Sequence, residues 1–90
     1  MSTTYKMPQL QKGSEGVAVS MLQGILTWRI NGKTGKPFYT DEVDGEFGSN
    51  TYKAVYDYQK IMTDMGYDFL VDGICGDLTW NSLLAKLPRA

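Results

Sequence analysis

The chain contains one short stretch of sequence twice, and this repeat limits what the chain can fold into. Residues 43–51 (VDGEFGSNT) align with residues 71–79 (VDGICGDLT), and five of the nine aligned positions are identical. Average composition predicts fewer than about one chance identity in a window of this length. Four shared positions have clear structural roles: Asp44, Gly45, Gly48 and Thr51 in the first copy, and Asp72, Gly73, Gly76 and Thr79 in the second.

Both copies have the pattern of a loop that leads into a helix. Asp-Gly is a turn dipeptide, because the aspartate can bond to the backbone that follows it and the glycine accepts a positive φ. The second glycine allows a sharp bend where the helix begins. Ser49 or Asp77 then begins the helix, with a side-chain oxygen near the unbonded N–H groups of the first turn. We expect the threonine hydroxyls to tie each helix back to its Asp-Gly turn.

Hydrophobic periodicity predicts three helices. They run from about residue 16 to 30, from 49 to 65, and from 77 to 87, where Pro88 closes the last one. The predicted fold class is all-α, a compact three-helix bundle with two repeated Asp-Gly loop-helix units. We assign residues 1–8 to an N-terminal arm and residues 9–90 to one domain.

Three motifs in order resemble the peptidoglycan-binding domain-like family. They are LQKGSEGVAVSMLQ (residues 10–23), VDGEFGSNTYKAVYDYQ (43–59) and VDGICGDLTWNSL (71–83), and the resemblance covers roughly residues 9 to 87. It implies a non-catalytic three-helix module that holds a murein hydrolase or phage endolysin against the bacterial cell wall. The chain departs from the family pattern in its long 31–42 connection and in having no catalytic domain. A protein-interaction or assembly module with the same fold and no wall ligand is the alternative.

The charge balance argues against nucleic acid and membranes as partners. Nine basic and ten acidic residues give a net charge of −1, and neither sign forms a block. Binding to nucleic acid usually requires a basic stripe. No apolar stretch approaches the roughly 20 residues that span a bilayer, and the first residues do not resemble a secretory signal. We therefore expect a phage-encoded protein, export by another route, or a fragment of a longer protein that acts at the cell wall.

The residue types also argue against catalysis, metals and cofactors. The chain has no histidine and one cysteine, Cys75, which we expect to be a small buried hydrophobic residue. Four carboxylates cluster near the first Asp-Gly turn, but a glycosidase needs a cleft that holds its carboxyls about 5 to 9.5 Å apart. A calcium loop fails because its required glutamate would fall on Thr51 or Thr79. We predict no catalytic residue, no metal site and no cofactor.

The predicted ligand-binding groove contains aromatic residues, since their rings can stack on the C–H faces of sugars. Tyr52 and Tyr56 are neighbours on one helix surface, Gln59 flanks them, and Trp80 and Tyr67 complete the groove. Three alternatives stay open. The tyrosines could be ordinary surface residues, Trp80 could belong to the core, and Gln59, like Gln23 in the first helix, could bond to loop backbone.

The first helix has a second apolar stripe, formed by Met21, Ile25 and Trp28. A helix that is apolar on two sides must be covered twice. We expect the 31–42 connection, with Phe38 and Tyr39, to provide the cover. A partner domain or a second copy of the chain is the alternative, so we predict a monomer, with a dimer through this stripe as its rival.

Overall fold

The computed structural model of the protein describes residues 7–85. Three helices and two short strands follow in the order α1 (Val17–Trp28), β1 (Ile30–Asn31), β2 (Lys36–Pro37), α2 (Ser49–Asp64) and α3 (Asp77–Ala85). The strands form an antiparallel sheet in which Ile30 pairs with Pro37 and Asn31 with Lys36. The fold is therefore mostly helical, and the small sheet distinguishes it from a strictly all-α bundle.

Each helix packs an apolar stripe against the core. The core-facing residues are Val19, Leu22 and Leu26 of α1, Ala54, Val55, Tyr58 and Met62 of α2, and Trp80 and Leu83 of α3. Leu10, Phe47 and Cys75 complete this core from the loops. Burying these side chains is the main driving force for folding. The predicted helix end at residues 86–88, and most of the predicted N-terminal arm, lie outside the described residues.

The 31–42 connection folds back as a hairpin towards α2. The backbone N–H of Phe38 donates to the Arg29 carbonyl over 2.9 Å, and the Phe38 ring meets Tyr58 edge to face with its centroid 5.4 Å away. Tyr39 is buried. The two aromatic residues of the hairpin therefore extend the core, Phe38 beside α2 and Tyr39 beside α1.

The prediction that this hairpin covers the second stripe of α1 is wrong. Met21 is 44% exposed and Trp28 is 77% exposed, while Ile25 is half-buried against the core. Phe38 and Tyr39 are the only large aromatic residues of the connection. Phe38 packs against Tyr58 of α2, and Tyr39 bonds to Leu26 and Gln23 on the inner side of α1. The outer face of α1 therefore stays exposed.

Within residues 7–85, none of the helices has the length and apolar character that crossing a bilayer requires.

Candidate functional site

The first Asp-Gly turn, residues 43–48, is held by the side chain of Gln23 from α1. Gln23 Oε1 accepts the backbone N–H groups of Asp44 (3.1 Å) and Gly45 (3.0 Å). Its Nε2 donates to Asp44 Oδ1 over 3.1 Å and to Thr51 Oγ1 over 3.0 Å. Gln23 is completely buried, so one amide side chain satisfies the inner side of the turn.

The second Asp-Gly turn, residues 71–76, is held in the same way by Gln59 from α2. Gln59 Oε1 accepts the N–H groups of Asp72 (3.1 Å) and Gly73 (2.9 Å). Its Nε2 donates to Asp72 Oδ1 over 3.3 Å, to the Ile74 carbonyl over 2.8 Å and to Thr79 Oγ1 over 3.1 Å. Of the roles left open for these two glutamines, the structure shows the bonding to loop backbone. The threonine hydroxyls bond to the glutamine, which in turn bonds to the loop.

Glycine is required in both turns by backbone conformation and by space. Gly45 and Gly73 each have a φ of 75°, in the left-handed region that glycine tolerates. A Cβ on Gly73 would lie 2.2 Å from Cε2 of Tyr52, and one on Gly45 would lie 2.9 Å from Oγ of Ser20. The Tyr52 ring therefore rests directly on the second turn.

The titratable groups near the turns have structural roles. The Glu46 backbone N–H and the Gln23 amide hold the pKa of Asp44 below its ordinary value, because both bonds favour the carboxylate. Burial raises the pKa of the Cys75 thiol to about 12, so the thiol is protonated at neutral pH and is a poor nucleophile. The expected burial of Cys75 is confirmed. Across residues 7–85, no group of three or more potential metal ligands comes together.

Two of the predicted ligand residues form a surface patch on α2. The rings of Tyr52 and Tyr56 stack with centroids 6.0 Å apart and planes 29° apart. The ammonium of Lys12 lies 4.7 Å from the centroid of the Tyr52 ring, and Tyr56 is 36% exposed. We call Lys12, Tyr52 and Tyr56 the tyrosine patch.

The other predicted ligand residues lie elsewhere. Gln59 and Trp80 are buried, and the Trp80 indole N–H donates to the Pro8 carbonyl over 2.8 Å. Tyr67 is exposed and follows the C-terminal end of α2, where its backbone N–H donates to the Met62 carbonyl over 3.0 Å. Tyr52 and Tyr56, in contrast, lie in the first half of α2. The five residues therefore do not line one groove.

A cleft of about 500 Å³, which the sequence did not predict, lies between the hairpin and α2. One wall is formed by Asn31, Thr34 and residues 36–41, and the other by Asn50, Lys53 and Asp57. We call it the hairpin cleft. Its walls are far apart in the sequence, and the unusual length of the 31–42 connection was the one signal that could have indicated it.

Comparison with known proteins places the chain in a family. Residues 15–83 match the family model described as "Putative peptidoglycan binding domain". The crystal structure of the SleB N-terminal domain is similar, with 33% identity and a TM-score of 0.71 over 90% of this chain and 94% of that one. A search of curated proteins found no match.

Two further solved structures resemble this chain over part of their own length. A Burkholderia AP3 phage endolysin is 29% identical with a TM-score of 0.67, over 91% of this chain and 27% of that one. A peptidoglycan-binding protein from Clostridioides difficile, solved with glutamine hydroxamate, is 34% identical with a TM-score of 0.66. The match covers 84% of this chain and 40% of that one. This chain thus spans less than half of either protein. The predicted family and the predicted role as a peptidoglycan-binding module are confirmed, and the chain belongs to the peptidoglycan-binding domain family.

Proposed function

We propose that this protein holds a cell-wall hydrolase against peptidoglycan and cleaves no bond itself. Its similarity to about a quarter of a phage endolysin supports this role, because the rest of such a protein has room for a catalytic domain. The protonated, buried state of Cys75 also supports it. Anchoring would raise the local concentration of the attached enzyme at the wall, so the module would act by effective concentration.

The tyrosine patch is our proposed contact surface, and the stacked exposed pair on α2 is the observation that carries this proposal. The Tyr52 ring is supported from below by Gly73 and contacted by Lys12. Such support fixes the rings before a ligand arrives, which lowers the entropic cost of binding. Sugar rings of the glycan strand present apolar C–H faces that suit these aromatic faces.

Gln59 and Trp80 have a positioning role in this proposal. Gln59 holds the turn that contains Gly73, and Gly73 supports Tyr52. The indole N–H of Trp80 donates to the carbonyl of Pro8, and this bond holds the chain a few residues before Lys12. Contact between Tyr67 and the ligand stays a separate prediction, to be tested with Tyr67→Ala.

Sedimentation with insoluble sacculi tests the proposed function. At low salt we expect the protein to move into the pellet. Tyr56→Ala should weaken binding by about tenfold, since an aromatic contact contributes about 0.5–1.5 kcal/mol beyond its area. Trp28→Ala removes another exposed aromatic ring from α1 and should leave binding unchanged. Wild-type protein that stays in the supernatant would overturn the function, and a Tyr56→Ala variant that binds normally would overturn the contact surface.

Self-association through α1 is a second candidate function. Val17, Met21 and Trp28 are exposed on one side of this helix, and α1 has no charged residue. A second copy could therefore pack against the same face without like-charge repulsion. We expect light scattering at high protein concentration to detect a dimer that Trp28→Glu abolishes while the circular dichroism spectrum is kept. A monomer at every concentration would exclude this candidate.

A further inference from the structure

We infer that the hairpin cleft binds the peptide portion of peptidoglycan, through ligand groups that include both an amine and a carboxylate. This inference rests on the proposed function and adds to it the class of ligand that a second site recognises. The cleft is formed partly by the long 31–42 connection, and it is separate from the stacked rings of the tyrosine patch.

The cleft has the size and rigidity of a small-ligand site. Its volume of about 500 Å³ falls within the range of about 300–1,000 Å³ that is usual for such sites. The hairpin wall is fixed by the pairing of β1 with β2 and by the buried side chain of Tyr39. Tyr39 is held by its hydroxyl, which accepts from Gln23 over 3.2 Å and donates to the Glu42 carbonyl over 2.5 Å. The cleft is therefore formed before any ligand enters.

Both walls of the cleft carry charges of both signs. On α2, the Lys53 ammonium lies 2.7 Å from the Asp57 carboxylate, one helical turn away. On the hairpin side are Lys36 and Asp41, and Asp41 accepts a hydrogen bond from the Asn50 amide. An ion pair that faces solvent contributes little to stability. A ligand with its own amine and carboxylate can therefore replace it, placing the carboxylate on Lys53 and the amine on Asp57.

This charge pattern favours peptide over glycan. The sugars of a glycan strand offer mainly neutral hydroxyl and acetamido groups, whereas stem peptides offer carboxylates, amides and a free amine. A sugar site also needs an open aromatic face. In the cleft, Tyr39 is buried and Phe38 is packed edge to face against Tyr58. The cleft thus has the charged groups that a peptide needs, and of its two aromatic rings one is buried and the other is partly buried.

A titration followed by two-dimensional ¹⁵N NMR tests this inference. The probe is the stem peptide N-acetyl-L-Ala-γ-D-Glu-L-Lys-D-Ala. Its acetyl group blocks the α-amine of the first alanine, because that amine is not free in intact peptidoglycan. We expect the largest amide shifts at Thr40, Asn50 and Lys53. The double variant Lys53→Gln/Asp57→Asn should bind the peptide at least tenfold more weakly than the wild type. The matched control is Lys33→Gln/Asp64→Asn, which removes an exposed ion pair of 3.2 Å outside the cleft and should bind normally.

Two results would overturn the inference. One is peptide binding that leaves the cleft amides unshifted or is unchanged in the double variant. The other is the same set of cleft shifts with chitotetraose in place of the peptide, which would assign the cleft to glycan. Sedimentation of the same samples with sacculi separates this failure from failure of the proposed function. Wild-type protein that pellets but ignores the peptide refutes the cleft assignment alone, and protein that shifts at the cleft but never pellets refutes the anchoring role alone.

Discussion

Each buried glutamine takes the place of water at a turn whose backbone N–H groups face the interior. Gln23 and Gln59 each use the amide oxygen for two consecutive N–H groups and the amide nitrogen for side-chain and carbonyl oxygens of the same unit. Buried polar groups are almost always hydrogen-bonded because leaving one unpaired is costly. A side chain with both an acceptor and two donors is needed here, and glutamine meets that requirement without a charge.

The variant Gln59→Ala tests this account of the turns. It leaves the N–H groups of Asp72 and Gly73 without their partner and opens a cavity, so we expect the free energy of unfolding to fall by about 2–4 kcal/mol. Urea denaturation measures the change. Gln11→Ala removes an exposed glutamine side chain and should change stability by less than about 0.5 kcal/mol. Equal stability of the two variants would mean that the Gln59 bonds do not hold the second turn.

At the level of the elements, the sequence predicts what depends on near neighbours. The three helices follow from periodicity, and α2 begins at Ser49 as predicted. The Asp-Gly turns follow from the local preferences of two residues. These features need no knowledge of the rest of the fold, which is why sequence reasoning found them.

The features that sequence reasoning missed depend on residues that are distant in the chain. Phe38 and Tyr39 could cover α1 or extend the core, and only the direction of the hairpin decides between them. The hairpin cleft likewise depends on how residues 34–41 lie against α2. The sequence left Trp80 open between a ligand groove and the core. The structure buries Trp80 completely, which decides for the core.

The second turn and α2 meet at Gly73, and a variant there tests their contact. Gly73→Ala places a Cβ in a left-handed conformation and 2.2 Å from the Tyr52 ring, so we expect a loss of about 3 kcal/mol in unfolding free energy. Gly13 also has a positive φ, of 95°, but a Cβ at this position would meet nothing within 4 Å. Gly13→Ala should therefore lower the unfolding free energy by only about 1–2 kcal/mol. In a Tyr52→Ala background, the cost of Gly73→Ala should fall to that of Gly13→Ala. A cost that stays the same would rule out the contact with the ring.

For the whole molecule, α2 links the two turns and carries both proposed binding surfaces. Its first turn contains Thr51, which bonds to Gln23, and its middle contains Gln59, which holds the second turn. Lys53 and Asp57 each follow a tyrosine of the tyrosine patch by one position, which is about 100° around the helix. The tyrosine patch and the hairpin cleft are therefore adjacent faces of α2. We expect glycan on the first face and its attached peptide on the second.

The most direct test of the central claim measures binding and cleavage in one tube. Sacculi with a covalently attached dye are incubated with the purified protein and sedimented, and the protein in the pellet and the dye in the supernatant are both quantified. A module that anchors without cutting predicts protein in the pellet and no dye release above a protein-free control. Dye released in proportion to protein, or protein that remains in the supernatant, would contradict the account.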